Sequence, residues 1–595
     1  MANSQQRNEF VLSRFSGLSS DVDPFKAPIG NASAIRNMEL SNTYGKLTGS
    51  ADFPGTVLTY SATLLHEYEV DQYGDGSLLT NNDGKLSTGS TSVVIRYTTD
   101  TPPVPVYQAL GANAHAVNMQ GKVFLTDGTA YVYYDGDAEA GLPPGGLWGT
   151  LEAPGTPGAT TVNTGGHGYT TGGLHSYFVV WSDSSDPTAN GAHVSAPSAT
   201  GTFTASDEEL TQHFTAGAPA YAGGLIPAWA KYMCVFMTQA DVQGFHQGTF
   251  YFVNSTVIAF ESTDATVDID IADSEVGLPW KPFSVPPVCK LIATYMDRIC
   301  VANATAYPNR IYFSEASDPF RFGNDNWVDV STDSDDSITS IVAIPAGLLI
   351  IMTRSVHVLT GYSPATFRIT RVSEETGSSE PRGTVLFGGA AYWINPHGLW
   401  MTSGGKPVNL AEGKIVQYLQ AATWNGTCIG GYCPEYNQLW FTMSTGEVMV
   451  YDMATREFIF RKFEHRVQGL GILTVAGIPR TVLTQDELSD PTAPEQYWTS
   501  HWMDFGTSRK KRLAQILIEY DKHTSGDMEV YIDASDGPSD AGWTTTLVVQ
   551  HDLESYIIPV SMQGRYFRIK ISASAEETPM GISRVVFYHF PTGVN

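Results

Sequence analysis

The stretch from Asn309 to Phe322 reads NRIYFSEASDPFRF. Glu315 and Asp318 stand at the end of an apolar run, close to Phe313 and Phe320. Two carboxylates beside aromatic rings are what a glycosidase needs, one as general acid and one as base or nucleophile. The same residues also make a turn, because Ser and Asp bond nearby backbone and Pro319 fixes φ. Glu374 and Glu375 form a second acidic pair, but neighbours on an extended strand point apart. The run STDSDDSITS, residues 331–340, carries oxygen ligands suited to Ca²⁺, without the spacing or closing Glu of an EF-hand. His167 sits in GGHG, a glycine-rich linker. Four consecutive cations, Arg509, Lys510, Lys511 and Arg512, stand out on an acidic chain. They serve either to discourage strand-edge pairing or to contact an acidic neighbouring subunit.

Other chemistry is missing from the pattern. No glycine-rich loop runs into Lys-Ser/Thr, and neither HExxH nor GxSxG occurs. Five cysteines without a CxxC pair suggest neither a disulfide framework nor a zinc site, so the thiols are expected to be free in a reducing cytoplasm. The first residues are polar and resemble no export signal, and no run approaches the ~20 apolar residues of a membrane helix. A net charge of −27 argues against bulk attraction to nucleic acid or anionic membrane.

The elements that must position these residues are strands. From Thr427 the chain reads TCIGGYCP, NQLWFTM, EVMVYDM and EFIFRKF, four short runs separated by tight turns. Such turns force antiparallel neighbours. The same rhythm starts at Lys290, Ile338 and Gly383, with a spacing of about 40 to 48 residues. Partial units occupy 106–137 and 467–505. This period, with four strands per unit, predicts an all-β fold: a β-propeller of about six or seven four-stranded blades. Glu315 and Asp318 then fall between the third and fourth strands of one blade. Trp393, Trp400 and Trp440 fall inside strands and are expected in the core.

Pro-rich stretches bracket residues 151–282, which hold about six strand-like runs and are read as an inserted, fibronectin type III-like β-sandwich, independent of the blades. The organisation expected is an N-terminal segment 1–55, first blades 56–150, the insertion 151–282, remaining blades 283–505 and a C-terminal β domain 506–595. One short helix is expected near 413–422.

Taken in order, FSGLSSDVDPFKAPIGNASAIRNMELSNTYGKLTG, NRIYFSEASDPFRFGNDNWVDV, DSITSIVAIPAGLLIIMTRSVHVLTG, GTVLFGGAAYWINPHGLWMTSGG and MDFGTSRKKRLAQILIEYD resemble the tail nozzle, or tail tubular protein B-like, proteins of short-tailed bacteriophages. Related tail hub and stabilisation proteins share the pattern. The resemblance implies a virion protein with no catalytic residue and no cofactor. It implies a ring, a hexamer, below the portal and adaptor, assembled in the bacterial cytoplasm. Such a ring passes genomic DNA without reading its sequence and carries fibres or spikes. The competing expectations are a sugar-active tail depolymerase and a receptor-binding adhesin.

Overall fold

The computed structural model describes residues 7–592 in stretches, the longest being 335–463 and 288–331; in the strands of 56–108 only His66 and Glu67 have described side chains. The linker residues 151–160, His167 and residues 332–334 lie outside the described residues. The described chain is all-β apart from one short helix, Val416–Ala421.

Its framework is a set of four-stranded antiparallel sheets in chain order, at 62–108, 115–147, 289–329, 338–373, 384–409 and 430–462. A three-stranded sheet follows, built from His465–Val475, Ile478–Ser489 and Thr56–Leu58. Each sheet is a meander, because its turns are short. Met296 and Asp297, between Tyr295 and Arg298, both have positive φ (48° and 52°), the conformation of a two-residue hairpin turn. The first strands touch in sequence: Ala62–Val70 meets His115–Met119, then Cys289–Tyr295, Ile338–Ile344, Thr384–Phe387, Gly430–Cys433 and His465–Val475. His465–Val475 in turn meets Ala62–Val70, which closes the cycle. The arrangement is propeller-like. Buried apolar rows such as Leu348–Met352 and Leu439–Phe441 lie between sheets and hold them face to face.

The two chain ends meet. Thr56–Leu58 pairs parallel with Val482, Leu483 and Thr484, so an early strand joins the late sheet. Asn8–Leu12 and Gly45–Leu47 both pair with Met580–Pro591, and Ala32–Arg36 pairs with Gln496–Ser500. The C-terminal unit is therefore two sheets built from both ends of the chain, rather than residues 506–595 alone, and 1–55 is not a separate segment. Sequence reading separated them because strand partners hundreds of residues apart leave no local mark.

The N-terminal segment also binds the sixth sheet. Leu18 and Asn37 donate their amides to Phe458 and Phe460 carbonyls at 2.8 Å, and the Asn37 carboxamide returns a bond to Lys462. A Cβ on Gly17 would lie 2.4 Å from the Phe458 carbonyl oxygen, so that close approach requires glycine. The Asp21 carboxylate accepts the amides of Val416 and Gln417, each at 2.8 Å, and caps the helix.

The stretch 151–282 holds a four-stranded sheet centred on Gly173–Ser182 and Tyr232–Thr238, and a three-stranded sheet. The two central strands of the four-stranded sheet are buried on both faces. Tyr177, Val179, Trp181, Met233, Val235 and Met237 share one core with Phe124 and Tyr133 of the 115–147 sheet and Phe320 and Phe322 of the 289–329 sheet. Phe178, Val180, Cys234 and Phe236 face a second cluster with Trp280. This corrects the reading of 151–282 as an independent module. The signal was present: SYFVVW and YMCVFM are unbroken apolar runs, which mark strands covered on both sides. His193 stacks on Phe320, with ring centroids 4.6 Å apart, and meets Tyr133 edge-on. Lys122 bonds across to Asp183 at 3.6 Å, and Arg321 donates to the Pro187 carbonyl.

Two outcomes are expected. Excising 152–282 with a Gly/Ser bridge leaves Phe124, Tyr133, Phe320 and Phe322 uncovered. Each is worth roughly 1.5–3 kcal/mol of burial, so the product is expected to be insoluble; a soluble chain with an unchanged melting temperature would refute the shared core. Burial, aided by the Lys122 charge, pushes His193 down to about 3, and burial takes His115 down to about 4. An unfolded His takes its proton near 6.5. Between pH 6.5 and 3 the unfolded chain therefore binds more protons, and stability falls with falling pH. For His193 the loss is on the order of 3 kcal/mol at pH 4. Urea denaturation from pH 7 to 4 is expected to show a shallower decline for His193→Gln than for the parent.

Candidate functional site: the carboxylates and the basic cluster

Glu315 and Asp318 are brought together, but as the closing pair of a hairpin. Tyr307–Glu315 and Asp318–Asp329 pair antiparallel, and Glu315 lies opposite Asp318 across Ala316 and Ser317. Ser317 takes positive φ (56°) and its amide bonds the Asp297 carbonyl at 2.7 Å. The two acids have different arginines. Arg321 stands 3.5 Å from Asp318, which is buried. Arg298 stands 3.7 Å from Glu315, which is half-exposed and also accepts from Asn326 at 2.9 Å. Burial raises the Asp318 carboxyl, and the Arg321 charge and the Phe320 amide oppose that rise. A buried acid locked to arginine cannot reach a glycosidic oxygen. Glu374 pairs with Arg371 at 3.0 Å on the surface.

The aspartate run has a structural use. Asp336 accepts the Arg354 amide at 2.8 Å and the Ser355 hydroxyl at 2.5 Å. Ser355 Oγ also lies 2.8 Å from His357 Nε2. Asp, Ser and His are thus in contact, but in the wrong order for a hydrolase. The serine proton goes to Asp336, so the imidazole must donate to Ser355 and cannot deprotonate it. Burial, first, and the Arg371 charge lower His357 and keep it neutral. Among the described residues no group of three or more His, Cys, Asp or Glu gathers to hold a metal ion.

Three further glutamates, which the sequence reading passed over, act between sheets. Glu67 accepts the Thr474 amide, Glu435 accepts the Thr481 amide and hydroxyl, and buried Glu380 accepts the Gly426 and Cys428 amides at 2.9 and 2.8 Å. Each carboxylate satisfies backbone or hydroxyl donors on a following or preceding sheet. No local pattern announces such caps, since both partners lie about 46 to 407 positions apart. Trp393 and Trp440 are fully buried, Trp400 is partly buried, and all five cysteines are buried outside any disulfide.

The basic cluster divides. Lys511–Tyr520 is a strand, and Lys511 points inward. Its ammonium donates to the carbonyls of Thr507, Arg509 and Arg565 at 2.6, 2.8 and 2.8 Å, spending all three protons. Burial pulls it down to about 8, still protonated at neutral pH. Lys511 is a structural fastener and is removed from the candidate subunit interface. Arg509, Lys510 and Arg512 are exposed; Lys510 pairs with Asp536 at 2.7 Å, and Arg512 reaches Ser561 at 3.5 Å.

Lys511→Met should strand three buried carbonyls and cost about 3 kcal/mol or more. Arg509→Glu with Arg512→Glu should leave the melting temperature of the single chain nearly unchanged. Thermal unfolding of the two variants side by side checks the division; equal losses would sink it.

No family model matches the chain, and no curated protein matches it. Among solved structures it is similar to an exo-β-1,3-galactanase from Phanerochaete chrysosporium with galactose, at 8% identity over 80% of this chain and 96% of that one, with a TM-score of 0.19. It is also similar to a structure described as a glycoside hydrolase, at 10% identity over 90% and 99% of the two chains, with a TM-score of 0.22. A third is BBS1N in complex with ARL6DN, at 10% identity over 74% and 96%, with a TM-score of 0.22. All three likenesses fall far below the range that shows a shared fold.

Proposed function

We propose that the chain is a closed seven-bladed propeller with a two-sheet unit formed by its joined ends, and that it serves as a structural, non-catalytic subunit of a short bacteriophage tail. In this reading a ring of copies, six by resemblance, extends the DNA-ejection channel below the portal and adaptor, gates it, and supports fibres or spikes. The observation that supports it best is the use of the acids. Glu380 and Glu435 cap amides of other segments and buried Asp318 neutralises Arg321, so these carboxylates are engaged within the chain. The remaining negative charge suits a wall past which DNA slides, because carboxylates hold no phosphates and release no counterions.

A depolymerase needs two accessible carboxylates roughly 5–9.5 Å apart. An adhesin would use 151–282 as a free binding head, whereas the two central strands of its four-stranded sheet are covered on both faces.

Sedimentation and electron microscopy of the purified chain, with gold labelling on the parent particle, test the proposal. Rings in solution and label at the tail are expected. A stable trimer labelling peripheral spikes, or polysaccharide hydrolysis abolished by Glu315→Gln, would overturn it.

A further inference from the structure

The loop Ser500–Phe505 fastens the N-terminal segment to the C-terminal unit. The Ser33 hydroxyl donates to the Ser500 carbonyl at 2.8 Å, and Trp498, just before the loop, donates its indole N–H to the Ser16 carbonyl at 3.2 Å. His501 follows, 6% exposed, with Nε2 2.8 Å from the Ser19 carbonyl. A carbonyl only accepts, so Nε2 carries the proton of the neutral ring and Nδ1 is bare. That Nδ1 is buried and has no hydrogen-bond partner. At the other end of the loop Phe505 takes positive φ (48°) and packs on Phe10 of the leading strand, with ring centroids 4.7 Å apart. It also stacks on His589 at 5.2 Å. His589 is 4% exposed, and its Nδ1 likewise lacks a partner. An open cleft of about 390 Å³ runs between Ala27–Asn31 and the loop and brings water to the joint.

Both imidazoles are thus packed into the joint as neutral groups. A proton on Nδ1 adds a charge and a donor in a site with no partner for either. Burial lowers His501, against the opposing pull of the Ser19 and Ala32 carbonyls. Burial, then the Lys511 charge, lowers His589. The other charges around the loop are already engaged. Lys511 holds its three carbonyls, Arg568 stacks on Trp502 and pairs with Asp533, and Asp504 accepts the Gly506 amide. On the N-terminal side Asp21 caps the helix and Asp23 pairs with Lys26. We propose that this loop is an acid-released latch on the N-terminal segment. With both histidines neutral, residues 16–32 stay seated; with either protonated, the segment comes away while the sheets remain folded. Release opens both rings to water, uncovers buried Leu18 and withdraws Asp21 from the helix. A histidine in the released state takes its proton near 6.5. The released state therefore binds more protons below that pH, and seating weakens as pH falls. Each histidine shifts the balance by up to about tenfold per pH unit below 6.5. The latch does not rest on the ring reading.

Hydrogen exchange of the full chain, followed by mass spectrometry at pH 7.5, 6.5 and 5.5 and corrected for intrinsic rate, tests it. The amides of Ser16, Leu18, Ser19 and Ala32 report seating, because they bond the carbonyls of Gly30, Phe458, Ala32 and Gly17. Those of Leu348–Met352, deep in another sheet, are the reference. Protection of the segment is expected to fall about tenfold or more from pH 6.5 to 5.5 while the reference holds. His501→Gln keeps a donor for the Ser19 carbonyl and takes no proton, so it should flatten the profile; His589→Gln should reduce its slope. A segment as protected at pH 5.5 as at 7.5 overturns the latch, as does one that opens only together with the reference. An unchanged slope in both variants overturns it as well. Should His501→Gln fail to seat the segment even at pH 7.5, the parent profile and His589→Gln decide.

Discussion

Everything in this molecule depends on closing a cycle of sheets. A four-stranded meander has two edges with unpaired amides and carbonyls and two faces that need cover. Setting the first strands side by side around an axis covers the faces, but the last sheet must still find the first. Here the closing contact is made twice. His465–Val475 packs on Ala62–Val70, and Thr56–Leu58 adds a parallel strand to the same late sheet. The chain then continues into a unit that pairs Asn8–Leu12 with Met580–Pro591. Parallel pairing there is the natural outcome, because the strand arrives from the opposite end of the chain and no hairpin constrains its direction.

With closure in place, the acidic composition acquires a second meaning. A carboxylate accepts several hydrogen bonds and serves well where a loop from one sheet must end against amides of another. Glu67, Glu435, Glu380 and Asp21 all do this, over separations that no helix or hairpin spans. Lys511 is the cationic counterpart, with three carbonyls around one ammonium. Charged groups placed in this way specify geometry more than they add net stability, because their desolvation offsets most of the attraction.

What was legible in the sequence was local. The strand rhythm, the turn at Ser314–Asp318 and the short helix follow from alternation, turn residues and spacing within about ten positions. What was hidden was either non-local or a matter of sidedness. The partnership of Asn8–Leu12 with Met580–Pro591 has no signature in either segment. The shared core of Trp181 with Phe124 was written in unbroken apolar runs and was obscured by the Pro-rich flanks, which look like linkers. Lys511 was taken for surface because it is charged, although it heads the inward series Lys511, Leu513, Ile516, Ile518 and Tyr520, with a bulge between Leu513 and Gln515 restoring the alternation. Of the candidate site, the turn character of Glu315 and Asp318 was readable, and their separate arginines were not.

The weaving of both ends into one unit has a consequence for biosynthesis. A ribosome releases residues at roughly 5–20 per second, so Asn8–Leu12 emerges about half a minute to two minutes before the strand it pairs with is made. During that interval Phe10 and Leu12 lack their strand partners Phe587 and Val585, although Leu12 is buried in the finished protein. The sheets between can form one by one as they leave the tunnel, and the cycle can close once Ile478–Ser489 is made. A chain cut short after Ser489 thus has every strand that closes the cycle, yet keeps Asn8–Leu12 without its partner strand. The strand Asn8–Leu12 is covered only when Met580–Pro591, more than 560 residues later, has been made.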